Sequence, residues 1–129
     1  MAHPNEVLLR EANAALGRGD MDALRQYWAE DIRWHMPGRS PLAGYCEGAA
    51  QIAEFLGRVS ELSGGTYRSE THDVLADDEH IVVLSTSRAE RGGKHWEDNI
   101  VRVSRIRDGR VTEIRSYIAD QYAFDEFWS

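Results

Sequence analysis

Cysteine, lysine and proline are all scarce in this 129-residue sequence. Cys46 is the only cysteine, so no disulfide can form within the chain, and a zinc site could draw on one thiolate at most. An unpaired thiol suits a reducing compartment. No run of 18 apolar residues occurs, and Met1 is followed by His3, Pro4, Asn5 and Glu6 rather than by a basic, then apolar stretch. The expectation is a soluble, cytoplasmic protein. Basic charge is also short: 15 Lys and Arg stand against 22 Asp and Glu, a net charge of −7. With no block of like charges, this is a poor footprint for nucleic acid or anionic lipid, and neither is expected as a partner.

Several catalytic signatures are missing as well. No G-x-x-x-x-G-K phosphate loop and no G-x-S-x-G elbow occurs. His35, His72, His80 and His95 lack the close spacing of a metal site, so no metal and no cofactor are expected. What is present is enough apolar material to fold: 42% of residues are hydrophobic and 29% charged, consistent with one domain spanning residues 1–129.

The period of the apolar residues divides that domain in two. Leu8, Ala12, Ala15 and Leu16 recur at helical spacing after Pro4 and stop at Gly17 and Gly19. Asp20 is placed to cap a second short helix carrying Leu24, Tyr27 and Trp28 on one face. A strand from Ile32 to Met36 ends at Pro37 and Gly38, and an irregular stretch follows through Pro41, Gly44 and Gly48. Ile52, Phe55, Leu56, Val59 and Leu62 then trace the clearest amphipathic helix, closed by Gly64 and Gly65. Beyond it, segments 67–75, 80–90, 94–107 and 110–119 are rich in β-branched residues and separated by the hairpin signals Asp77-Asp78, Gly92-Gly93 and Asp108-Gly109. Tyr122, Phe124, Phe127 and Trp128 make the C-terminus too aromatic for a free tail.

Helices first and an antiparallel sheet after is the α+β pattern: three N-terminal helices against a curved, mostly antiparallel sheet that encloses a pocket. The element order, the run PGRSPLAGYCEG and the hairpin RIRDGRVTEI resemble the SnoaL-like group of the NTF2-like superfamily over almost the whole chain. That superfamily's cone-shaped fold holds isomerases, epoxide hydrolases, cyclases and members without known catalysis, so the resemblance implies a fold and a pocket rather than one reaction.

Ketosteroid isomerases of this superfamily use an aspartate base, a tyrosine and a protonated aspartate. The matching positions here are Ala12, Met36 and a residue near Arg102, so that machinery is not expected. Similarity to limonene-type epoxide hydrolases implies a different set: Arg88 and Glu90 stand where that family has Arg-x-Asp, and Asp120 closes the last strand. In that arrangement a guanidinium separates the pKa values of two carboxylates, one giving a proton while the other takes one from water. A SnoaL-type cyclase reading also converges on Asp120. The bare alternative for Asp120 is an N-cap of a terminal helix, and for Arg88 and Glu90 a solvent-facing pair.

His35 faces the pocket in the epoxide hydrolase register, whereas Trp34 and Met36 face it in the isomerase register, and strand alternation forbids both without a bulge. Period-two phasing groups Leu84, Thr86, Arg88 and Glu90 on one strand, Asp98, Ile100, Arg102 and Ser104 on the next, and Ile114, Ser116, Ile118 and Asp120 on the last. The expected pocket therefore has Asp120, Arg88, Glu90 and His35 as catalytic groups. Trp34, Met36, Leu84, Asp98, Ile100, Arg102, Ile114, Ser116 and Ile118 form its lining. Val83, Val101, Val103, Val111 and Tyr117 are expected on an outer sheet face covered by a second subunit. Two functions stay open: a cofactor-free acid-base enzyme acting on a mainly apolar organic molecule, and a non-catalytic carrier or sensor with the same pocket.

Overall fold

A computed structural model describes residues 2–129. Helix α1 (Pro4–Gly17) begins with proline in its first turn, where the missing N–H costs nothing, and His3 Nδ1 accepts the Asn5 amide at 3.0 Å. Its inward stripe is Leu9, Ala12 and Ala15. Asp20 caps the single turn α2 (Met21–Leu24), accepting from the Ala23 amide at 3.1 Å. That turn is shorter than expected, because Trp28 already belongs to strand β1 (Trp28–Met36). The stretch read as irregular contains a further short strand, β2 (Gly44–Glu47), which leads directly into α3 (Gly48–Leu62). Ile52, Phe55 and Val59 are the buried positions of α3.

Four strands follow as the expected meander: β3 (Arg68–Ala76), β4 (His80–Arg91), β5 (Lys94–Arg107) and β6 (Arg110–Ile118), before helix α4 (Gln121–Trp128). Gly92 and Gly93, with φ of 55° and 80°, form a left-handed two-residue turn between β4 and β5, and Asp108-Gly109 does the same between β5 and β6. The sheet order is β2-β1-β6-β5-β4-β3, antiparallel throughout except that β1 runs parallel to β6. Register shifts in β1, β3 and β5 interrupt the ladders, and such bulges add bend and twist.

The helices cover one face of this sheet in two packed groups. Leu9, Ala12, Ala15, Leu24, Trp28 and Ile32 belong to one, at the α1 end. Met36, Phe55, Trp96, Ile100 and the α4 aromatics Phe124, Phe127 and Trp128 belong to the other. Gly38 holds the second group together: its φ of 102° is unavailable to most side chains, and a Cβ there would collide with Gln121 and Asp125 of α4. The loop is tied to that helix by Gln121 Nε2 donating to the Pro37 carbonyl at 3.2 Å and by the Arg39 amide donating to Asp125 at 3.1 Å. Among the described residues, no helix is long and apolar enough to cross a membrane.

Candidate functional site: a one-arginine cavity

Between the two packed groups lies a cavity of about 490 Å³. Sheet residues form its floor because alternation sends every second side chain to the helix side. β1 contributes Trp28, Trp34 and Met36, which fits the isomerase register, while His35 points to the opposite face and lies against Tyr45, ring centroids 4.7 Å apart. β5 contributes Ile100, Arg102 and Ser104, and β6 contributes Val111 and Ile114. Phe55, Leu56 and Val59 of α3 close the roof, and Phe124 and Trp128 of α4 close one end. Exposed Asn13 and Gly17 of α1 and exposed Ser69 and Thr71 of β3 border the open side.

Strand β4 runs in the phase opposite to the expected one. Ile81, Val83, Ser85, Ser87 and Ala89 are buried on the helix side, so Leu84, Arg88 and Glu90 project from the outer face. The physical reason is the two-residue turn at Gly92-Gly93. It pairs Arg91 with Lys94, and therefore Val83 with Arg102 and Ser87 with Asp98, leaving β4 odd residues beside β5 even ones. Arg88 and Glu90 are consequently exposed and remote from the cavity, Glu90 lying 3.9 Å from His95. Val83 is likewise on the inner side, as is Val111, so neither belongs to the outer face expected of them.

Asp120 is also outside. It is the N-cap of α4: its carboxylate accepts the Ala123 amide at 3.1 Å, and its own amide donates to Asp98 at 2.7 Å. Asp98 has the inward phase of β5, yet its carboxylate is taken up by that amide and by the Asn99 amide at 2.8 Å. Ser116 is buried beneath Trp34, accepting the indole N–H at 3.3 Å, and Ile118 packs in the α4 group. Replacing Asp120 with alanine is expected to cost about 1 kcal/mol through loss of the cap. Urea unfolding measures that loss, and occupancy of the cavity should stay unchanged in the same variant.

Tyr67, immediately before β3, is a polar cavity residue that the sequence did not single out. Its hydroxyl donates to Ser87 at 2.9 Å, Ser87 reaches Ser69 at 3.4 Å, and Arg102 Nη2 donates to the Tyr67 oxygen at 3.3 Å. Arg102 also lies over the Trp34 ring at 5.7 Å, a cation-π distance. Among the described residues that line the cavity, Arg102 is the single charged group; no carboxylate and no imidazole joins it. Burial raises the pKa of the Cys46 thiol, which does not line the cavity, so it is a poor nucleophile at neutral pH.

The chain and its fold have known relatives. The model of the SnoaL-like domain family matches residues 9–114. An uncharacterized protein of Mycobacterium tuberculosis is 31% identical over 123 residues, covering 95% of this chain and 94% of its own. Bal32a, from a soil-derived mobile gene cassette, superposes with a TM-score of 0.88 at 35% identity over 98% of this chain and 97% of its own. TerC, co-crystallized with polyporic acid, superposes with a TM-score of 0.81 at 25% identity over 97% and 98% of the two chains. A helix-covered mixed sheet of this order, with a family match over most of its length, makes this chain a member of the SnoaL-like family with the NTF2-like fold.

Proposed function

We propose that this protein binds a small, mainly apolar organic molecule in the cavity between the helices and the sheet, and that binding rather than acid-base turnover is its role. The observation that carries this reading is the composition of the wall: aromatic and aliphatic side chains with one arginine and a few hydroxyls. Ligand pockets have this composition, apolar with a small number of placed polar groups. General acid-base catalysis needs a proton-transfer group free to act on the substrate; the carboxylates of Asp98, Glu90 and Asp120 are spent or directed elsewhere, and the Tyr67 hydroxyl in the wall is already engaged with Ser87 and Arg102. The co-crystal of TerC with polyporic acid is a precedent for a ligand in a relative of this fold. A lone, half-buried thiol suits the cytoplasm as the place where it acts.

The expected test result is one-to-one binding of a neutral apolar dye such as Nile red, with a blue-shifted emission. Ser104→Trp, which fills the cavity from β5, should abolish it in a folded protein. Failure of the wild-type protein to take up the dye would overturn the reading.

The working unit is proposed to be a homodimer joined through the outer sheet face. Val82, Leu84, Val101, Val103 and Tyr117 lie there in register, Val82 opposite Val103, Leu84 opposite Val101, and Val101 opposite Tyr117. Tyr117 is 53% exposed. A contiguous apolar patch on a sheet face is what an isologous contact covers.

A further inference from the structure

We propose that the ligand of this cavity carries an oxyanion of the carboxylate class, seated on Arg102. This deepens the binding reading above and rests on it. Arg102 stands midway along the sheet floor, with Val83 on one side and Ser116 on the other in register. Its guanidinium has five donor hydrogens. One is given to Tyr67 at 3.3 Å, a long bond, and Nε is buried with no partner. No carboxylate among the described residues comes within 4.0 Å of it, whereas Arg10, Arg25, Arg33 and Arg115 each lie within that distance of an acidic side chain at the surface.

The chain has 22 acidic residues and sets none of them against the arginine in its cavity. Arg102 is half-buried, and a guanidinium drawn partly out of water, with its Nε shut off and no counter-charge beside it, is incompletely compensated, whereas such cations are ordinarily paired. The Tyr67 hydroxyl does not supply that charge. Its proton is directed to Ser87, so its oxygen presents a lone pair to Arg102 and holds the guanidinium in place as a neutral acceptor. The Trp34 ring face adds a weak quadrupolar attraction. The remaining counter-charge is the ligand's. A carboxylate matches the planar guanidinium better than any neutral acceptor, since charge-assisted bonds are roughly twice as strong as neutral ones. The walls around it, Trp34, Phe55, Ile100 and Ile114, require the rest of that molecule to be apolar.

The test uses the intact protein and two probes of equal size, anthracene-2-carboxylate and the neutral anthracene-2-carboxamide, titrated by calorimetry. The carboxylate is expected to bind at least about tenfold more tightly. In Arg102→Met the preference should fall to within about twofold, while the carboxamide keeps its affinity. Arg102→Gln, which retains hydrogen bonding without charge, should behave alike and serves if the methionine variant does not fold. Equal affinity for the two probes in the wild-type protein, or a preference that survives in a folded Arg102 variant, would overturn the oxyanion seat while leaving the pocket reading intact. Binding of neither probe would overturn both.

Discussion

Trp128→Ala is expected to lower stability by about 3–5 kcal/mol, the range for truncating a large buried aromatic. Trp128 is the penultimate residue and only 1% exposed. Its ring stands edge-on to Phe127 at 4.9 Å and lies within 6.4 Å of Phe124, Trp96 and Tyr67. Eight-residue helices do not hold together alone in water, so α4 depends on this packing. The thermal midpoint of a domain this size should fall by about 10–20 °C. Trp128→Phe is the informative companion. The indole N–H is buried without a partner, so removing it relieves a cost as well as contacts, and the loss should be much smaller than for alanine. A midpoint unchanged by Trp128→Ala would mean that α4 is not part of the folded core.

A paired substitution reads out the phase of β4. Ile81→Asp places a carboxylate where the native side chain is 0% exposed, among the apolar residues of the α1 group, and several kcal/mol of desolvation should leave the protein largely unfolded. Leu84→Asp, three residues on, enters the outer face and should leave the circular dichroism and the dye binding of the monomer unit intact. Its effect is expected in assembly. Light scattering should give twice the 14.7 kDa chain mass for the wild-type protein and the chain mass itself for Leu84→Asp. A wild-type protein at chain mass in the micromolar range would overturn the dimer. Unfolding of Leu84→Asp would overturn the face assignment.

The helices and hairpins were legible because their signals are local. The stripe Ile52, Phe55, Val59 and the left-handed turns at Gly92-Gly93 and Asp108-Gly109 depend on near neighbours alone. The face of β4 was not legible from its own pattern. Its apolar residues come as one block, Ile81 to Leu84, followed by the hydroxyls Ser85, Thr86 and Ser87, so each phase has two apolar residues and then hydroxyls, and small serines fill the inner face beside Tyr67. The turn length carried the answer, since a two-residue hairpin ties the phase of β4 to that of β5. On β5 the buried Trp96 and Ile100 fix the phase, which is why Ile100 and Arg102 were found. Asp120 was ambiguous for another reason: a carboxylate after a strand and before a helix suits a cap and a pocket equally, and only the Ala123 amide at 3.1 Å decides between them. Tyr67 carried no motif, being an aromatic at a strand entrance, and acquires meaning only when Arg102 is seen beside it.

The parallel pairing of β1 with β6 sets an order of events during synthesis. Trp34 faces Ile114, and Trp28 faces Val111, so the first strand to leave the ribosome has its central neighbour in the last strand to leave it. Until then β1 has only β2 as a partner, and the middle of the sheet floor, between β1 and β5, is missing. Such non-local pairing makes folding slow compared with a helical bundle of this length and leaves the nascent chain exposed to association with its neighbours. A chain released before residue 111 would have five strands in two pieces, β2-β1 and β5-β4-β3, with no ladder joining them, and a cavity floor without Val111 and Ile114.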